Sequence, residues 1–241
     1  MSMTRTQLRT RTMRRADATT VDAGTSYSPR WNTTAGATGE VDQIMGFVQQ
    51  REWKRILNAN RFYRINKVQP AVGSDGRIAI TALSTGTGDT KKNFYRIMLF
   101  VRNNYIYSEV PLERWATGEA SGDASRVWWR EGTDIMFLPK ETSVTLNGTG
   151  DGIWVNWTPT RVEDLSADSI TVEFPDGYEE ILALEGAALL LSKGSVETAE
   201  ARELRALAEE FRQDMLQDIA RTSTNPLRMQ YEDSSFAWGG E

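Results

Sequence analysis

The chain has 241 residues, enough for one large domain or a domain with an elaborated insertion, and long enough to build a core without metal or disulfide staples. It contains no cysteine and no histidine, which excludes disulfides, thiolate metal sites, Cys nucleophiles, Ser-His-Asp triads and imidazole acid–base chemistry, along with most zinc and iron sites. The formal net charge is −5, yet residues 1–15 hold Arg5, Arg9, Arg11, Arg14 and Arg15 with no acid among them.

The start of the chain has no apolar stretch of signal-peptide length, and no run reaches membrane-spanning length, so a soluble intracellular product is expected. Residues 3–16 lack helix breakers and place Met3 or Thr6, Leu8, Met13 and Ala16 on a sparse apolar stripe between arginines. This predicts a short helix that needs a partner for stability, its arginines read as a solvated face before a nucleic-acid arm. Residues 17–39 are rich in Thr, Ala, Gly, Asp and Ser and read as a long loop. A second helix is predicted from about Glu40 to Asn58, where Val41, Ile44, Met45, Val48, Ile56 and Leu57 recur at helical spacing.

From Arg61 the character changes. "FYRINKVQP", "RIAITAL", "FYRIMLFVRNNYIYSEVP", "SRVWWREGTDIMFLP", "GIWVNWTPTRV" and "SITVEFP" are short, β-branched and aromatic, and Gly-, Ser- and Thr-rich turns separate them. They predict an antiparallel β-domain of five to seven strands over 61–174, with a hairpin at Gly132-Thr133-Asp134. Helical character resumes at Asp176, an N-cap candidate with Glu179 three residues on. Ile181, Leu182, Leu184, Ala188, Leu189 and Leu191 predict a helix apolar on most sides, stopped near Gly194. Ser195 is expected to cap a last helix in which Leu204, Leu207, Ala208, Phe211, Met215 and Ile219 form one stripe. Residues 222–241 show no periodicity.

The predicted fold class is therefore α+β: a bundle of about four helices from 1–60 and 175–221, an inserted antiparallel β-domain over 61–174, and an extended C-terminal arm over 222–241.

Candidate chemistry is sparse. Asp123, Glu131, Asp134, Asp151, Glu163 and Asp164 fall in or near turns, where backbone reasons favour acids, and no spacing among them suggests catalysis. Gly86 and Gly88 in "TGTGD" lack the rest of a phosphate-loop signature and read as a hairpin loop. We expect no catalytic, cofactor or metal-ligating residue. Trp128 and Trp129 are adjacent, so a strand directs them to opposite faces; an exposed one would serve as a ligand or tail-partner surface. Glu185 lies inside the apolar run and is expected at a helix seam, met by an arginine. Glu200, Arg202, Glu203, Arg205, Glu209 and Arg212 form the charged side of the last helix, a candidate subunit interface. Leu227, Met229, Tyr231, Phe236 and Trp238 are apolar residues of a kind that solvating tails avoid, and suggest a segment that docks on a partner.

One family pattern fits this order. An Arg-rich first helix is followed by a helix ending "REWKRILNA", an aromatic "FYRI" strand, and an "EGTDIMFLP" segment leading to "WVNWTPTRVEDLS". "FPDGYEEILALEGAALLLSKG" follows, and then a closing "ELRALAEEFRQDMLQDIAR" helix. Taken together this resembles the head-to-tail adaptor (connector, neck) proteins of tailed double-stranded DNA bacteriophages. The residues that carry the likeness are Trp157, Pro159, Tyr178, Glu179, Glu180 and the apolar run 181–191. The resemblance implies a non-enzymatic virion protein assembled in the host cytoplasm. Its copies would form a ring, commonly twelve-fold, between the portal and a downstream tail or nozzle protein. DNA would pass through the lumen without sequence-specific binding, and residues 222–241 would be the portal arm. The alternative from another class is a carbohydrate- or receptor-binding β-module of a phage tail, resting on Trp128 and Trp129.

Overall fold

A computed structural model of the chain describes residues 2–16, 34–111, 126–138, 146, 148, 150–193 and 198–221. It is an α+β protein with four described helices and a seven-stranded mixed sheet. The chain divides into two compact units, one from Met1–Tyr63 with Thr160–Glu241, the other Arg64–Pro159.

The first unit holds all four helices: α1 (Arg5–Ala16), α2 (Glu40–Ala59), α3 (Glu180–Ser192) and α4 (Ala199–Arg221). Its centre is α3, which packs against each of the other three. Ile181, Leu182, Leu184, Ala187, Ala188 and Leu190 are buried on every side of it, the environment that a helix without a polar face requires. Gly186 lets α1 approach: a Cβ there would stand 3.1 Å from the Thr12 methyl group. The helix starts four residues later than the sequence suggested. Pro175–Tyr178 forms a turn closed by the Tyr178 N–H donating to the Pro175 carbonyl at 3.1 Å, with Gly177 at φ 87°, so Asp176 sits in that turn and not at the helix N-cap, which is Glu179. Thr198 caps α4, its Oγ1 accepting from the Ala201 N–H at 3.1 Å; Gly194 and Ser195 lie outside the described residues.

The first helix is not a solvated basic face. Leu8, Thr12 and Ala16 are buried, and so are the arginines one turn away, Arg5 and Arg9. The segment "SITVEFP" also differs from expectation. It forms only an isolated bridge, Thr171 with Thr4, flanked by the Arg5 N–H donating to the Ile170 carbonyl and the Val172 N–H to the Met3 carbonyl. Residues 160–174 therefore belong with the helices, because their backbone groups are satisfied by the N-terminus rather than by a sheet.

The second unit is the sheet, with strands β1 (Ile65–Val68), β2 (Ile78–Ala79), β3 (Asn93–Arg102), β4 (Tyr105–Glu109), β5 (Val127–Glu131), β6 (Asp134–Leu138) and β7 (Gly152–Thr158). Their order is β1-β7-β3-β4-β5-β6-β2. All neighbours are antiparallel except β4 and β5, which run parallel, so the sheet is mixed rather than purely antiparallel. The stretch between those two strands, 110–126, is turn-like in composition but long enough for the crossover that a parallel pair needs. The β3–β4 hairpin turns at Asn103 and Asn104, both at positive φ (49° and 62°), as a two-residue primed turn demands. The expected β5–β6 hairpin forms, with Gly132 at φ 61°. On one side of the sheet Phe100 stacks on Tyr107 at 4.9 Å between ring centroids and meets Phe137 edge-on at 5.4 Å, with Ile135, Ile153 and Val155 around them.

Candidate functional site

The strongest electrostatic features of the helical unit are two ion-pair clusters, and both are internal. In the first, Arg9 grips Asp42 bidentately, Nε to Oδ1 at 2.8 Å and Nη2 to Oδ2 at 2.7 Å, and also donates to Asp168 at 2.8 Å. Arg5 donates to Asp168 at 2.9 Å and to the Leu165 carbonyl at 2.6 Å. The hydrogen bond with Asp42 raises the Arg9 pKa, and that from Arg9 holds the Asp168 carboxyl down to about 2. Arg11 and Arg15 both pair with Glu180, at 2.8 and 2.6 Å. Four of the five N-terminal arginines are thus engaged by acids of this same chain.

The second cluster ties α2, α3 and α4 together. Arg212 donates to Glu52 through Nε at 2.7 Å and Nη2 at 3.2 Å, and it also pairs with Glu185 and Glu209. Arg51 reaches Glu185 at 2.8 Å, and Arg55 reaches Glu52 at 3.0 Å. Burial pushes the Glu185 carboxyl up, but its hydrogen bonds from Arg212 and Arg51 outweigh this and leave it below the usual range. For Arg212, burial works against the charge and the Glu52 and Glu185 carboxylates more than compensate. Three guanidiniums face three carboxylates, so the cluster is neutral; removing Arg212 would leave the buried Glu52 and Glu185 carboxylates with only the less buried Arg51 and Arg55.

The expected subunit-interface residues therefore separate. Glu200, Arg202, Glu203 and Glu209 are exposed on α4, and Arg205 is half-buried with Nη2 against Ser192 Oγ at 3.4 Å. Arg212 is only 3% exposed and belongs to the interior. Glu185 does meet arginines at a helix seam, but a seam within one copy.

The apolar stripe of α4 also separates. Ala201, Ala208, Met215 and Ile219 are buried in line with Arg212, whereas Leu207 and Phe211 stand 38% and 37% exposed. On α2, Phe47 is 54% exposed. It borders an open groove of about 420 Å³ lined by Ile44, Leu189, Gln43 and Ser192, with Glu40 and Lys193 paired at its end.

In the sheet unit, neither tryptophan of the adjacent pair forms an exposed platform: Trp128 is 7% and Trp129 4% exposed. Trp128 helps close the core and borders a pocket of about 210 Å³ lined by Phe94, Arg96, Glu109 and Arg130. The strand does alternate the two indoles, and each is buried on its own face. Exposed carbon in this unit is instead at the hairpin, where Tyr105 and Ile106 follow the turn and the Arg126 guanidinium lies 3.3 Å from the Tyr105 ring centroid.

Of the turn carboxylates, Asp151 has a structural task, accepting from Arg102 at 2.9 Å and from the Asn103 N–H at 2.6 Å. Glu163 is buried beside α2, and burial raises its carboxyl above the usual range. Asp123 lies outside the described residues, as do all five candidate portal-arm residues, Leu227, Met229, Tyr231, Phe236 and Trp238. No helix among the described residues is long and apolar enough to cross a membrane.

Fold and surfaces define a class: an α+β chain whose helical unit buries Arg5, Arg9 and Arg212 in internal ion pairs and leaves Phe47, Leu207 and Phe211 exposed. No family model matches the chain, and no curated protein matches it at a significant level.

Proposed function

We propose that this chain is a structural virion protein, a ring-forming adaptor at the head–tail junction of a tailed double-stranded DNA phage. In this reading the helices form the ring body, the β-part is an insertion into that bundle, and residues 222–241 reach the portal. A downstream tail or nozzle protein would dock on the opposite side. Support comes from the order of elements and from the "W.P" and "GYEE" segments at Trp157–Pro159 and Tyr178–Glu180.

The observation that carries the reading is the treatment of the helical surface. Charged residues that would suit a reaction pocket are spent on internal ion pairs, while Phe47, Leu207 and Phe211 are exposed on the outer sides of α2 and α4. Large exposed apolar side chains on a charged surface are the mark of association. An acidic chain repeated around a ring also gives a lumen that repels DNA phosphate, as a conduit requires. The sugar-binding alternative loses its main support, since Trp128 and Trp129 are both buried.

The test is binding to a candidate portal ring, followed by electron microscopy of the complex. The full chain is expected to decorate the portal with ring symmetry. Deletion of 222–241 is expected to abolish binding while the circular-dichroism spectrum and melting temperature stay unchanged. A full-length chain that remains monomeric and has no portal affinity would overturn the adaptor reading; normal binding by the deletion would overturn the arm assignment alone.

A further inference from the structure

Two exposed apolar faces of the helical unit carry opposite charge. On α2, Phe47 has Arg51 one turn on, its guanidinium 5.9 Å from the ring centroid. Lys54 and Arg55 follow at seven and eight residues, so all four lie on one side of the helix. The carboxylates that balance Arg51 and Arg55, Glu52 and Glu185, are buried beneath them. Arg51 turns its Nη2 inward to Glu185, so this side presents outward an aromatic ring with the exposed Lys54 and the half-buried Arg55 beyond it. On α4, Leu207 and Phe211 are neighbours four residues apart. Glu203, Glu210 and Asp214 lie three or four residues from one or the other, and all three are exposed. Glu203 and Glu210 take part in no ion pair among the described residues.

We infer that these faces are the two halves of one contact, in which the Leu207/Phe211 face of one copy docks on the Phe47 face of a second copy of this chain. The inference rests on the adaptor reading only in taking copies to assemble. Charge decides between the possible pairings. Phe47 face against Phe47 face would bring Lys54 and Arg55 against their equivalents, and Phe211 face against Phe211 face would bring three carboxylates against three. Like-charge juxtaposition of that kind is penalised, whereas the mixed pairing sets carboxylates against guanidinium and ammonium groups around an apolar centre. The groove of about 420 Å³ beside Phe47, walled by Ile44 and Leu189, offers a place for an incoming Phe211 ring.

A contact between unlike faces does not close on itself after two copies. It repeats, giving a ring when the rotation per copy closes and a filament when it does not. Here that rotation is held by the buried Glu52–Arg212 ion pair, which ties the helix bearing one face to the helix bearing the other.

The absence of native cysteine makes the contact testable by cross-linking, because each introduced thiol is the only one in its chain. Phe47→Cys and Leu207→Cys are made separately, both at exposed positions where the fold tolerates change. Under mild oxidation each variant alone is expected to stay monomeric on a denaturing gel. Their mixture is expected to give a covalent dimer and no larger species, and the double variant a ladder. Cross-linking of either single variant with itself would overturn the inference in favour of a symmetric contact, and no cross-link in the mixture would overturn it outright. Sedimentation supplies a second reading: Lys54→Glu is expected to weaken self-association and Lys54→Glu with Glu210→Lys to restore it. Portal rings decorated by the wild-type chain with no cross-link in the mixture would sink this contact and leave the adaptor reading standing. Cross-links without portal affinity would do the reverse.

Discussion

Gly46 shows how one residue can oppose its own helix propensity for a packing reason. It sits inside α2, where glycine costs about 1 kcal/mol relative to alanine. A Cβ at this position would overlap the buried carboxylate of Glu163, whose Oε2 has no hydrogen-bond partner among the described residues. Gly46→Ala is therefore expected to lower the melting temperature, and Gly46→Ala with Glu163→Ala to recover most of the loss; a Gly46→Ala variant more stable than wild type would refute the close approach. The same carboxylate makes a pH prediction. Burial raises its folded pKa above the unfolded value, so the folded state binds a proton first. Its relative stabilisation is complete below the unfolded value and is lost as pH rises through the raised one. Wild type should gain stability against Glu163→Gln as pH falls through that window, measured by melting temperature across the acid range. Neither feature was legible beforehand: Glu163 sits in sequence among turn acids, and nothing local marks it as lying on α2.

At the scale of elements, α1 is tied to its unit by buried ion pairs as well as by Leu8, Thr12 and Ala16. Asp42 is fully buried, and removing its bidentate partner by Arg9→Ala is expected to cost about 3 kcal/mol, the low end for a stranded buried charge because Arg5 remains 3.8 Å away. Asp168→Asn should cost about 1 kcal/mol or less, since that side chain is 45% exposed. The sign with pH is fixed by its depressed pKa of about 2: its contribution is present above the ordinary carboxylate value and is lost as pH falls toward 2. The difference between wild type and Asp168→Asn, read by chemical denaturation, should shrink over that interval. The sequence predicted α1 and α2 nearly to the residue, because breakers and 3.6-residue spacing are local. It misread which arginines face inward, because Asp42 and Asp168 lie far along the chain. The α4 stripe failed for a related reason: Leu204, Leu207, Ala208, Phe211, Met215 and Ile219 span two adjacent faces of a helix. The side that is covered is the one containing Arg212, whose partners Glu52 and Glu185 come from two other helices.

At the scale of the whole molecule, the division into two units makes its own prediction. The sheet unit begins with β1 and ends with β7, and those strands are antiparallel neighbours, Ile65 opposite Asn156 and Val68 opposite Ile153. Antiparallel partners stand about 5 Å apart between Cα atoms, so the unit's entry and exit are side by side and a short linker can replace it. A chain in which Gly and Ser residues replace 64–159 retains every partner of both ion-pair clusters, since all of those residues fall outside the deleted segment. It also retains Phe47, Leu207 and Phe211. It should fold as a helical protein with a single cooperative melt, by circular dichroism and calorimetry, and the segment 64–159 should fold separately around Phe100, Tyr107 and Phe137. Because both faces of the inferred contact lie on α2 and α4, the excised helical chain should still self-associate, with Phe47→Asp abolishing it. Loss of self-association in a chain that folds would assign the contact to the sheet unit, where Tyr105 and Ile106 are the large apolar residues exposed among the described ones.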